Sequence, residues 1–152
     1  MPGDIRYVHT NVIARDWRAL ARFYIEVFGC VPVPPERHLA GEWIERMTAI
    51  PSVRVDGVHL ALPGHENGPT LEIFSYAPEL PAEVPPQVNR PGLAHLAFHA
   101  ADVRAVLDSV LVLGGSMLGD VIEKDYEGLG RLTAAYVRDP EGNIIEVQNW
   151  AK

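Results

Sequence analysis

Cysteine is almost absent: Cys30 is the single one in 152 residues. That excludes an intrachain disulfide and a cysteine-based zinc knuckle, and it agrees with a reducing cytoplasm. Clustered lysine and arginine are also missing. With 20 acidic residues against 13 basic and a net charge of −7, the chain has no basic stripe to offset phosphate, so nucleic acid is not an expected partner. No stretch approaches the ~18 uninterrupted apolar residues that span a bilayer. The opening MPGDIRYVHT lacks the charged-then-apolar run of a signal peptide. The expectation is a cytoplasmic protein that engages no membrane. What is present is globular in balance, 47% hydrophobic and 22% charged, which favours a packed core over disorder.

The sequence repeats itself. Setting His9 against His95 aligns Asp16 with Asp102, Arg18 with Arg104, Ala19 with Ala105 and Gly29 with Gly115, five identities at one offset of 86 residues. Gly68 precedes Glu72 by four residues, Gly142 precedes Glu146 by four, and Tyr76 and Trp150 follow those glutamates by four. Each half opens with an apolar, β-branched run, over 5–13 and 93–99, that reads as a strand. An aspartate then starts an amphipathic helix. Leu20, Phe23, Tyr24, Val27 and Phe28 make its stripe in the first half, and Val103, Val106, Leu107, Val110 and Leu111 in the second. Glycine supplies each stop. Strands are expected near 43–47, 57–62 and 70–76, and again near 117–123, 131–138 and 144–150, with Asp139 to Asn143 as a tight turn. EKDYEGLGRL, residues 123–132, reads either as a flexible lid or as an ordinary hairpin loop. The fold class is therefore α+β, two paired βαβββ modules forming a curved mixed sheet. They occupy residues 1–77 and 92–152, joined by a proline-rich linker over 78–91, one structural domain overall.

Strand residues two apart share a face. His9 thus lies with Asn11, His95 with Ala97 and His99, Glu72 with Phe74, and Glu146 with Gln148 and Trp150. Each half offers one histidine from its first strand and one glutamate from its last. A carboxylate inside an apolar strand is costly unless something positive meets it, and two at equivalent places point to a shared cation. Two imidazoles and two carboxylates suit Ni, Co, Zn, Mn or Fe. His59 and His99 are candidates to line a cavity, although neither has a partner in the repeat. Asn11, Gln148 and Trp150 join them as candidate substrate contacts.

The segments HTNVIARDWRALARFYIEVFG, GPTLEIFSY, GLAHLAFHAADV and RDPEGNIIEVQNW resemble the vicinal oxygen chelate superfamily, which includes glyoxalase I, methylmalonyl-CoA epimerase, bleomycin resistance proteins and extradiol dioxygenases. The resemblance runs from Ile5 to Trp150, with its four motifs in order. It implies a metal-bearing cavity, with His9, Glu72, His95 and Glu146 at the four metal positions of glyoxalase I and the epimerase. It further implies a lyase or isomerase that chelates vicinal oxygens of a small substrate and moves a proton beside a carbonyl. Glu146 is the first choice of base and Glu72 the second. Two alternatives share the fold: an extradiol-type ring-cleaving dioxygenase using His9, His95 and Glu146, and a metal-free drug- or antibiotic-binding protein. Homodimers are common in this superfamily and one is expected here. Arg15, Arg46, Arg54 and Arg131 are candidate cations at the cavity mouth.

Overall fold

An aspartate starts each long helix. Asp16 Oδ1 accepts from the Ala19 amide and Asp102 Oδ1 from the Ala105 amide, each at 3.0 Å, so a helix-end N–H that lacks an intrahelical acceptor is satisfied. In the computed structural model, which describes residues 3–152, the two helices belong to separate units divided between Pro81 and Ala82. That boundary falls inside the proline-rich stretch.

The first unit runs β1 (His9–Ile13), α1 (Trp17–Phe28), β2 (Val31–Ala40), α2 (Glu42–Thr48), β3 (Arg54–Ala61) and β4 (Thr70–Ala77). Its sheet has the order β1-β4-β3-β2, with β1 parallel to β4 and the other pairs antiparallel. Helix α1 ends at Gly29, whose φ of 70° lets its amide return to the Ile25 carbonyl at 3.1 Å. Leu20, Ala21, Phe23 and Tyr24 are its buried stripe, and the helix lies against β3 and β4. The sheet face that meets it carries Leu60, Leu71 and Ile73, all fully buried. Each such side chain contributes roughly 1.5–3 kcal/mol relative to exposure.

The strand expected near 43–47 is instead helix α2. Good helix formers follow Gly41, Glu42 and Glu45 stand in the first turn and Arg46 in the last, which suits the helix dipole. Ile44 packs with Val53, Val55 and Phe74 in a small second core on the sheet face away from α1. The strand of this half that the sequence reading missed is β2, obscured by three prolines. It tolerates them because it is an edge strand whose register shifts between Val33 and Arg37. His38, expected in a loop, lies in β2 with Nδ1 2.6 Å from Asp56 Oδ1.

The second unit runs β5 (His95–His99), α3 (Val103–Val112), β6 (Ser116–Met117), β7 (Ile122–Tyr126), β8 (Gly130–Arg138) and β9 (Ile144–Ala151). Its five-stranded sheet has the order β5-β9-β8-β6, with β7 also on β8, and β5 parallel to β9. The single strand expected over 117–123 is thus two short ones. Val103, Leu107 and Val110 are buried on α3, which lies against β8 and β9, where Val137, Ile145 and Val147 are fully buried. Residues 123–132 form the β7–β8 hairpin, closed by the Leu129 amide on the Tyr126 carbonyl at 3.1 Å. The hairpin reading is the one observed. Before β9, buried Asp139 accepts from the amides of Glu141 at 2.9 Å and Asn143 at 3.0 Å, and from Asn143 Nδ2 at 2.8 Å. This turn sets where β9 starts and hence which face Glu146 occupies. Among the described residues no helix is long and apolar enough to cross a membrane.

Cys30 follows Gly29 at the α1–β2 junction and is 2% exposed, and burial pushes its thiol up to about 11. An ordinary thiol ionises near 8.5. At pH 8 the folded protein should therefore react with a disulfide reagent about two orders of magnitude more slowly than the denatured chain, since the thiolate is the nucleophile. Labelling at the denatured rate would show that this junction opens freely.

Candidate functional site

Glu72 stands mid-strand on β4 between Leu71 and Ile73, which face α1, so its own side chain takes the opposite face. It is only 8% exposed, and a carboxylate there needs partners to offset lost hydration. Three are supplied. His9 Nε2 lies 3.0 Å from Oε1, Asn11 Nδ2 donates to the same oxygen at 3.2 Å, and His59 Nε2 lies 2.8 Å from Oε2. His9 and Asn11 reach it from β1, where Asn11 is in register with Glu72. His59 reaches it from β3, directly opposite in the ladder. The His9 and His59 rings are edge to face with centroids 5.9 Å apart. Burial lowers the His59 pKa, the Glu72 charge opposes that, and the Arg37 and His9 charges reinforce it.

The second unit repeats the arrangement with two differences. His95 Nε2 lies 3.1 Å from Glu146 Oε2. The position directly opposite Glu146 in the β8–β9 ladder is Tyr136. Its hydroxyl is hydrogen-bonded to the Glu146 carboxylate, and burial together with that negative charge raises its pKa. The Tyr136 ring also lies edge to face with His95 at 5.0 Å. His59 therefore does have a counterpart in the repeat, and it is Tyr136, which the sequence reading did not select. Ala97, where Asn11 would be expected, provides no donor. His99 sits at the far end of β5 on the His95 face, in register with Gln148. Gln148 Oε1 accepts from Trp150 Nε1 at 2.8 Å, and Trp150 packs against Tyr126 at 5.3 Å.

The structure thus joins His9 to Glu72 and His95 to Glu146, each within its own unit. Among the described residues no group of three or more His, Cys, Asp or Glu side chains is arranged to hold a metal ion. The donor chemistry nevertheless fits. Two imidazoles and two carboxylates are a donor set that would suit a divalent ion such as Ni, Co, Zn, Mn or Fe.

Beside His9 and Glu72 the first unit has a cavity of about 360 Å³. One wall is α2, through Trp43, Ile44 and Met47. The other is the sheet, through Leu39, Phe74 and Tyr76, with Arg37 as its cation. Of the arginines expected at a cavity mouth, Arg15 pairs with Glu79 at 3.8 Å, and Arg131 is held by Asp125 and Glu123 at 2.9 and 2.8 Å. Arg37 had no motif to mark it; its parity with Leu39 across an unrecognised strand was the missing signal.

Residues 9–148 match the family described as the glyoxalase-like domain. The chain belongs to that family. Solved structures agree on the fold. A glyoxalase family protein from Bacillus cereus is 20% identical over 100% of this chain and 99% of its own, with a TM-score of 0.84. A glyoxylase/bleomycin resistance protein/dioxygenase domain from Frankia sp. EAN1pec is 17% identical over 97% and 100%, with a TM-score of 0.62. A family enzyme from Burkholderia phytofirmans PsJN is 15% identical over 94% and 97%, with a TM-score of 0.58. At such identities the likeness is one of fold. No curated protein matches the chain. These findings are consistent with the vicinal oxygen chelate superfamily, whose fold carries enzymes and non-enzymes alike.

Proposed function

We propose that the protein is a metal-dependent lyase or isomerase that binds a small substrate through two adjacent oxygens and moves a proton on the carbon beside a carbonyl. The observation that supports this reading is recurrence. The same His–Glu pairing occurs in both units, at 3.0 and 3.1 Å, between the same two elements of each module. A single such pair is ordinary structural hydrogen bonding; two at equivalent places indicate a common use. His9, Glu72, His95 and Glu146 would be the donors for one divalent ion, Ni, Co, Zn, Mn or Fe. When bound, such an ion supplies Lewis acidity that draws charge from a carbonyl oxygen and acidifies the neighbouring C–H.

The remaining chemistry belongs to the chain. Glutamate is the natural base for that proton. Glu72 is the more confined of the two, with both oxygens engaged by three partners. Glu146 has a side chain 19% exposed against 11% for Glu72, and it lacks an equivalent of Asn11. It is therefore the freer carboxylate, and we assign it the proton transfer, with Tyr136 orienting it by hydrogen bond. The ring-cleaving alternative is less well supported, because it calls for one carboxylate and both pairs here contain one.

Proton transfer can be read without knowing the natural substrate. In D2O, the hemithioacetal of an α-oxoaldehyde and a branched acyl thioester are incubated with the protein and each candidate ion, and loss of the C–H signal is followed by NMR. Exchange that requires a divalent ion is expected for at least one of the two. Absence of exchange with every ion would overturn the reading.

A further inference from the structure

The α2 cavity has a chemical bias that the pairing of His9 with Glu72 does not explain. Its walls are apolar and aromatic on both sides, yet they include one guanidinium. Arg37 is half-buried on β2, on the same face as Leu39. Its side chain donates to the Pro35 carbonyl, and among the described residues no carboxylate is paired with it. The acidic side chain in the lining, Glu72, is already engaged by His9, Asn11 and His59. By contrast Arg18 of α1 is held in a two-point pair with Glu36 of β2 at 2.8 and 3.0 Å. With no carboxylate partner among the described residues, the Arg37 guanidinium presents a planar fork of donors matched to a carboxylate.

The apolar part is as specific. Trp43 and Met47 line the cavity and yet are 55% and 77% exposed. Large apolar side chains left uncovered around a concavity mark a surface that a ligand completes. A volume of about 360 Å³ lies at the small end of ligand pockets, which suits a ring or branched chain with a short acidic tail.

We propose that this cavity is the specificity pocket of the protein and takes a small carboxylate bearing an aromatic or branched apolar group, the carboxylate on Arg37 and the apolar group between α2 and Phe74. It deepens the proton-transfer reading in placing the substrate beside His9 and Glu72, but binding itself does not depend on turnover.

The test is a calorimetric titration with three probes: 3-phenylpropanoate, its neutral isostere 3-phenylpropanamide, and propanoate. Each is measured with and without chelator, so that a carboxylate held by a metal is distinguished from one held by arginine. Phenylpropanoate should bind at least ten-fold more tightly than either of the others, chelator present or not. Arg37→Met should erase its advantage over the amide, and Trp43→Ala should erase most of its advantage over propanoate. Trp43 is exposed, so that variant folds even if Arg37→Met does not. Equal binding of the three probes, or a carboxylate preference unchanged by Arg37→Met or abolished by chelator, would overturn the proposal. Binding as expected without proton exchange on any substrate would leave this pocket standing and remove the enzymatic reading; exchange without selective binding would do the reverse.

Discussion

Gly57→Ala is expected to cost about 3 kcal/mol of stability, the upper part of the range for overpacking a tight site. Gly57 lies mid-strand on β3, opposite Phe74 on β4 and Arg37 on β2. A Cβ there would stand 2.2 Å from the Ile73 carbonyl oxygen, 2.4 Å from Phe74 Cδ1 and 2.9 Å from Phe74 Cα. Two of those atoms are backbone, so relief requires β3 and β4 to separate rather than a side chain to turn. Phe74 is two residues from Glu72 and His59 two from Gly57, so the same separation disturbs the carboxylate and its cross-strand partner together. Gly119→Ala is the control, with nothing within 4 Å of the added carbon, and it should be neutral within about 0.5 kcal/mol. Denaturant titration of both variants decides it. Equal midpoints would mean that the β3–β4 ladder is looser than its register implies.

Glu146→Gln is expected to lower kcat by about 10²- to 10⁴-fold, the usual worth of a positioned acid–base group. Glutamine preserves shape and an acceptor oxygen for Tyr136, but it cannot take a proton. KM should change little, because the loss falls on the transition state rather than on binding. Glu72→Gln should act differently. It removes the negative charge that two histidines and an asparagine converge on, and its main effect should be on metal retention. If Glu146→Gln keeps both its metal and full turnover, the base lies elsewhere.

The parts of this fold that were legible in the sequence are those whose signals are local. Asp16 and Asp102 cap helices through amides three residues on, and Leu71, Glu72 and Ile73 alternate as a half-buried strand must. A repeat singles out His9, Glu72, His95 and Glu146, and the structure joins them in two pairs. What was illegible depended on pairing between distant segments. Strand β2 is held in place by β3, and its prolines hide it from any reading of propensity. Residues 43–47 read as a strand from their apolar content, but they lie in helix α2. Tyr136 escaped for a related reason. Eight residues, 62–69, join β3 to β4, whereas five, 139–143, join β8 to β9. His59 and Tyr136 are therefore 77 residues apart while their glutamates are 74 apart, and the first strands 86. No single offset aligns all three, so the cross-strand partner of Glu146 emerges only from the ladder register.

The most direct test of the central claim, that the two His–Glu pairs serve one divalent ion, is elemental analysis of protein purified without chelator or affinity-tag metal, for wild type, His9→Ala and His95→Ala. One equivalent of a divalent ion is expected in the wild type, before or after loading with Ni, Co, Zn, Mn or Fe. Either substitution alone should remove it, although the two histidines belong to different units. A wild type that stays empty after loading, or an equivalent that survives the loss of one histidine, would contradict the account.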